Sequence, residues 1–182
     1  MKAESNMSKN SWSLRLAQAA DIPALEILIP LSVRQLQAEC YSPAQIEASL
    51  GTVFCVDPQL IEDGTYFVAE QDGKIIGCGG WGSRRSFYGA AGDRTLLDPV
   101  TEAARIRAFY VHPAHARRGI GRSIMAACES AITQAGFRKI EIAATPPGVP
   151  LYATFGYTEV ERYDISMAGG LGLPIVKMDK TL

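Results

Sequence analysis

Val111-His112-Pro113-Ala114-His115-Ala116-Arg117-Arg118-Gly119-Ile120-Gly121-Arg122 carries the chain from a strand, through a turn, into a helix. The strand-like run ends at Val111. A proline-containing turn follows, then basic residues, then two glycines two apart. Glycines let the main chain come close to a phosphate, and the first turn of a helix offers amide N–H groups that have no intrahelical partner. The helix dipole adds about half a positive charge at the same place. Arg117, Arg118 and Arg122 surround it with mobile charge. This order predicts a site for a phosphate or pyrophosphate compound.

Working outward, Ala103–Val111 is the strand that feeds the turn, and Gly119–Ala135 is the helix that leaves it. Ile120, Ile124, Cys128, Ala131 and Ala135 form the helix's apolar stripe, and Gly136 ends it. Upstream, Thr65–Gln71, Asp72-Gly73 and Lys74–Trp81 read as a hairpin with a tight Asp-Gly turn. Residues 82–100 lack any period and read as a long loop. Ser11–Gln18 alternates as a first strand. Asp21 is the expected N-cap of a helix reaching Gln37, which Pro30 should kink or divide. Ser42-Pro43 opens a second helix through Ile46 and Leu50, and residues 51–63 are mixed. Downstream come a strand at Ile140–Ala144, a brief helix at 149–155, and strands at Tyr157–Met167 and Pro174–Met178. The order β-α-α-β-β-β-α-β-α-β-β predicts an α/β fold on a sheet of mixed pairing.

The 182 residues suit one domain, placed at 11–182 behind a polar segment, residues 1–10, expected to be disordered. A net charge of -1 argues against general affinity for nucleic acid or membranes, and no apolar run reaches spanning length. Cys40, Cys55, Cys78 and Cys128 are dispersed, with no metal-binding spacing. Reduced thiols in a cytoplasmic protein, without a metal, are the expectation.

A second motif, Leu151-Tyr152-Ala153-Thr154-Phe155-Gly156-Tyr157, lies downstream of the glycine turn. Together with Phe109-Tyr110-Val111-His112-Pro113 and the run from Arg117 to Arg122, in this order and strand–helix context, it makes the chain resemble the GNAT superfamily of N-acetyltransferases over roughly residues 12–180. The resemblance implies a mixed, mostly antiparallel central sheet of about six to seven strands flanked by helices, with a splayed central strand pair. It implies acetyl-CoA as donor. The backbone of Phe109, Tyr110 and Val111 would pair with the pantetheine arm. Arg117, Arg118, Gly119, Ile120, Gly121 and Arg122 would hold the pyrophosphate, and Tyr152 would protonate the leaving thiolate. The physical chemistry agrees: a thiolate needs a proton donor within hydrogen-bond reach, and a phenol can supply it.

Two departures stand out. Ala116 occupies a position where the family usually has Gln or Arg, which leaves backbone binding of phosphate intact. Arg105 and Arg107 stand where some members carry a general base, and neither can act as one at neutral pH. Glu102, Glu141 and Asp164 are alternative candidates; water, or an amine arriving neutral, would serve as well.

Arg105 and Arg107 share one face of the strand. They either contact an anionic group on the acceptor or pair with internal carboxylates. Trp81, Arg84, Arg85 and Tyr88 either line an acceptor pocket or belong to a solvated loop. His112 reads as structural, His115 as weakly placed near phosphate, and Cys128 as core. The expected activity is direct transfer of an acetyl group to the amine of a small molecule that carries an anionic group, with Arg105, Arg107 and Trp81 as acceptor contacts. A protein or peptide acceptor and a non-catalytic CoA-binding regulatory module are the alternatives. A P-loop hydrolase is disfavoured because no G-x-x-x-x-G-K-[ST] run occurs. The family's frequent dimers leave a homodimer open, and strands 157–180 could complete the sheet or exchange with a partner.

Overall fold

The computed structural model describes residues 11–88 and 93–182. The expected disorder of residues 1–10 lies outside them. Seven strands form one sheet: β1 (Ser13–Leu16), β2 (Tyr66–Gln71), β3 (Lys74–Gly82), β4 (Ala104–Val111), β5 (Lys139–Ala144), β6 (Thr158–Ser166) and β7 (Gly172–Thr181). Their order is β1-β2-β3-β4-β5-β7-β6, and every neighbouring pair is antiparallel except β4 with β5. The C-terminal strands therefore complete the sheet within the chain.

Helix α1 (Ile22–Leu36) and helix α2 (Pro43–Ser49) cover one face; helix α4 (Ile120–Gln134) covers the other. Two shorter helices are α3 (Pro58–Glu62) and α5 (Val149–Ala153). α2 begins as expected, with Ser42 accepting from Gln45 N and the Gln45 side chain returning to the Ser42 amide. α3 falls in the stretch read as mixed. Asp57 caps it by accepting from Gln59 N at 3.1 Å, with Pro58 in its first turn.

Pro30 neither divides nor ends α1, which runs through it. Glu26, four residues before, is exposed, so the carbonyl that Pro30 cannot serve stands on the side of the helix that water reaches. Asp21 does not cap α1. Its carboxylate accepts from Gln18 N and two nitrogens of Arg15 instead, and a 3-10 turn, Ala19–Asp21, leads into the helix. The buried stripe of α4 is Ile120, Ile124, Met125, Cys128 and Ile132, while Ala135 is exposed. Steps of four residues drift by about 40° each, so the stripe returns to Met125 and Ile132. Pro174 lies inside β7, but β5 pairs only from Val176 onward, so its missing N–H faces no partner strand.

Two features position the site. β4 and β5 pair only from Ala104↔Ile140 to Ile106↔Ile142, and beyond that they part. On its other side β4 carries a bulge: Cys78 pairs Tyr110 and Gly80 pairs Arg107, so Gly79 faces both Ala108 and Phe109. Ala108 takes φ +56, a conformation unusual for a residue with a Cβ. The extra residue reverses the alternation. Ala104 and Ile106 face the α4 side before the bulge; Phe109 and Val111 face it afterwards, and Tyr110 joins the α1 side.

Candidate functional site

The splay opens a cavity of about 550 Å³ between the free edge of β4, the start of α4 and the start of α5. Phe109, Tyr110, Val111, Arg117, Gly119, Ile120, Gly121, Arg122 and Tyr152 all line it, as do His115 and Ala116. Arg118 is not in its wall; its Nη1 lies 3.0 Å from His115 Nδ1. Burial, then the neighbouring Arg118 charge and His112, lower the His115 pKa, so its ring stays neutral at neutral pH. The turn is built from two left-handed residues, Arg117 at φ +63 and Gly119 at φ +86, on either side of Arg118. Left-handed residues in such a turn swing amides to one side, which makes a concavity for an anion. The helix ladder opens with Ser123 N donating to Gly119 O at 3.0 Å, so the preceding amides of α4 remain for a ligand. These residues fit a diphosphate.

The two sequence motifs meet directly. A Cβ at Gly121 would stand 3.2 Å from Leu151 Cδ2, so the starts of α4 and α5 are in van der Waals contact there. A Cβ at Gly79 would stand 2.7 Å from the Phe109 ring, so that ring lies over the glycine and reaches Tyr152 edge-on at 6.2 Å between centroids. Tyr152 is buried, and burial holds its phenol well above the ordinary range, so it keeps its proton.

A second, smaller cavity of about 70 Å³ lies on the other side of the splay. Gln37, Phe109, Tyr110, Thr145 and Tyr152 belong to both walls, so the two spaces meet there. Val53, Phe54, Phe87, Tyr88, Ile142, Ile165 and Ile175 make the rest of the smaller wall largely apolar. Gln37, Ser32 and Thr145 had no place in the reading of the sequence. Ser32 and Gln37 interrupt the buried stripe of α1, and that was their signal. Ser32 Oγ accepts from Val111 N at 3.3 Å, which ties α1 to the open strand.

Arg105 and Arg107 do share a face, and each has a carboxylate partner within the chain. Arg105 pairs with Glu141, its cross-strand neighbour, and its guanidinium stacks 3.8 Å from the Phe87 ring centroid. Arg107 lines the smaller cavity and pairs with Asp57 at 2.6 Å, both side chains almost fully buried. Arg84 pairs with Asp63 at 2.9 Å and Arg85 with Glu102 at 3.1 Å. Internal pairing, one of the two alternatives for Arg105 and Arg107, describes both.

Trp81, expected as an acceptor contact, stands in the core on β3. Its side chain packs edge-on to Phe137 at 6.1 Å between ring centroids. It lines neither cavity. Tyr88 does line the smaller one, together with Phe87. Glu102, Glu141 and Asp164 line neither cavity. Glu102 faces Arg85, Glu141 faces Arg105 and Lys177, and Asp164 is exposed on β6. Among the described residues, no group of His, Cys, Asp and Glu could hold a metal ion, and no helix is long and apolar enough to cross a membrane.

A family model described as an acetyltransferase (GNAT) domain matches residues 62–159, more than half of the chain. Among curated proteins none matches in sequence. Among solved structures, a GCN5-related N-acetyltransferase from Rhodopseudomonas palustris superposes with a TM-score of 0.72 at 23% identity, covering 97% of this chain and 99% of that one. YncA from Salmonella typhimurium, crystallised with its cofactor acetyl-CoA, superposes with a TM-score of 0.65 at 19% identity, covering 95% of each chain. A ribosomal-protein-alanine N-acetyltransferase from Brucella melitensis gives 0.64 at 20% identity, covering 93% of this chain and 99% of that one. These likenesses agree with the seven-stranded fold, and the family model establishes that this chain belongs to the GNAT acetyltransferase family.

Proposed function

We propose that this protein is a cytoplasmic, acetyl-CoA-dependent N-acetyltransferase that acts on a small-molecule amine by direct transfer in a ternary complex. The observation that carries the reading is the meeting of a large cavity and a small one across the splayed strand, with the neutral phenol of Tyr152 in both walls. YncA's acetyl-CoA supports the donor, as does a structural neighbour from Thermoplasma acidophilum, the PaiA N-acetyltransferase, crystallised with coenzyme A.

On this reading the turn from Arg117 to Arg122 holds the donor's diphosphate with its amides and mobile guanidinium groups. The edge of β4 at Phe109, Tyr110 and Val111, unpaired beyond Ile106, offers backbone groups to the pantetheine arm. The amine nitrogen gives its lone pair to the acetyl carbon and the carbon–sulfur bond breaks. Sulfur takes the proton of Tyr152, and the proton shed by nitrogen restores the phenol through solvent. Holding the two reactants together supplies much of the remaining rate. The small volume of the second cavity favours a small acceptor over a peptide. An anionic group on the acceptor is not required, because the arginines that suggested one already face carboxylates.

Thermal stabilisation by acetyl-CoA and CoA, with ATP and NAD as controls, tests the donor; a hundredfold excess over Kd is worth about 2.7 kcal/mol. CoA release with an amine panel then tests transfer. Stabilisation by CoA without turnover on any amine would make the protein a CoA-binding module instead.

A further inference from the structure

The smaller cavity is built to refuse a cation. Four titratable or charged side chains face it: Arg107 and Tyr110 from β4, Tyr88 from the loop after β3, and Tyr152 from α5. No carboxylate or imidazole lines it among the described residues. The Asp57 carboxylate behind Arg107 is engaged with that guanidinium at 2.6 Å. Burial keeps Tyr110 and Tyr152 protonated and neutral. An ammonium group entering here would lose its water among apolar side chains, beside a guanidinium, with no anion to meet it. A free amine loses far less. No lining group on this side can take a proton from an ammonium either, because a guanidinium, three phenols and an amide are poor bases at neutral pH.

Gln37 supplies the complementary feature. It is the C-cap residue of α1, only 8% exposed, and it belongs to both cavity walls. Its carbonyl oxygen, Oε1, is buried without a hydrogen-bond partner. A buried acceptor of this kind is ordinarily satisfied. An uncharged amine has N–H groups to donate, and donating one to an amide oxygen leaves its lone pair unprotonated.

We propose that the acceptor is a weakly basic amine on an apolar body, which enters as the free base and donates one N–H to Gln37 Oε1 while its lone pair faces the thioester. The proposal rests on the transferase reading above. The neutral amine attacks the thioester carbonyl, Tyr152 protonates the departing sulfur, and the proton shed by nitrogen returns to the phenol through solvent.

Two isomeric amines of similar size and different basicity test it: 4-methylaniline, a weak base, and benzylamine, a stronger one. The expected profile of log kcat/KM is flat between pH 6 and 8.5 for 4-methylaniline. For benzylamine it rises by about tenfold per pH unit below that amine's own pKa, because only the free base reacts. A common inflection for both amines would mean that an enzyme group acts as base, and would overturn the proposal. So would a flat benzylamine profile below its pKa, which means that the ammonium binds. Gln37→Glu, which places a carboxylate at the junction, is expected to raise benzylamine relative to 4-methylaniline at pH 7 by at least tenfold. Equal losses for both, with donor stabilisation unchanged, would overturn the role of Gln37. Transfer to other amines but to neither of these would overturn the acceptor class alone. Transfer to no amine would overturn the transferase reading as well.

Discussion

Tyr152 has Phe109 edge-on at 6.2 Å and Tyr157 at 6.3 Å, and burial keeps its proton in place until something acidifies it or needs it. Removing the hydroxyl leaves the ring packing intact. Tyr152→Phe is therefore expected to keep its melting temperature and donor affinity while kcat falls about a hundredfold, the lower end for a lost general acid; steady-state kinetics beside a CoA titration checks this. Cys78 and Cys128 show the opposite use of burial. Both are fully enclosed, and burial pushes the Cys78 thiol up to about 12, so neither is a nucleophile. Iodoacetamide should label Cys40, which is exposed, and the half-buried Cys55 in the native protein, and reach the other two only after denaturation; mass spectrometry of the labelled peptides decides it. Arg107 and Asp57 are a buried ion pair. Asp57→Ala removes the carboxylate from beside a buried guanidinium and uncaps α3, and should cost about 3–5 kcal/mol in urea unfolding, whereas replacing both by apolar residues should cost less. Arg105 and Arg107 were legible as a pair on one face. Whether they would meet a ligand or a carboxylate was not, because Asp57 is far away in sequence and arrives only through α3.

At the scale of elements, the glycines of β3 matter more than their hairpin suggests. A Cβ at Gly77 would stand 2.6 Å from Ile120 Cγ2, so this glycine sets how closely the start of α4 approaches the sheet. Gly77→Ala should destabilise by about 1–3 kcal/mol through overpacking, and it should weaken CoA binding because the anion turn sits at that end of α4. Denaturant midpoints and a CoA titration on the same preparation check both parts. The glycine turn itself was legible, since glycines, arginines and a helix start occupy adjacent positions. The bulge at Ala108 was not. Alanine gives no sign of a left-handed conformation, and the Phe109 ring that follows the extra residue lies where a side chain at position 79 would stand. The side of the sheet that Trp81 takes was not legible either, because it depends on Phe137, just past the far end of α4, packing against it.

Across the whole molecule, ion pairs join segments far apart in the chain. Arg84 holds Asp63, and Arg15 holds Asp21 near the first strand; each guanidinium keeps its partner's carboxyl below the usual range. A carboxyl lowered in the folded state stabilises above its unfolded pKa, about 3.9, and that contribution disappears as pH falls through the folded value. The melting temperature should therefore hold from neutral pH to about pH 5 and drop below about pH 4, and Asp21→Asn with Asp63→Asn should flatten that drop in a calorimetric pH series. All seven strands, every α-helix but α3, the glycine turn, the downstream tyrosine and the family follow from the sequence alone, because each is written in residues close together along the chain and governed by local backbone chemistry. The meeting of two cavities, the internal neutralisation of four arginines, the place of Gln37 at the junction and the burial of Trp81 were decided only by the tertiary structure. They depend on where β4 and β5 part, on one bulge, and on side chains from α1, α3 and β5 brought together across long stretches of sequence, and no local pattern encodes those distances.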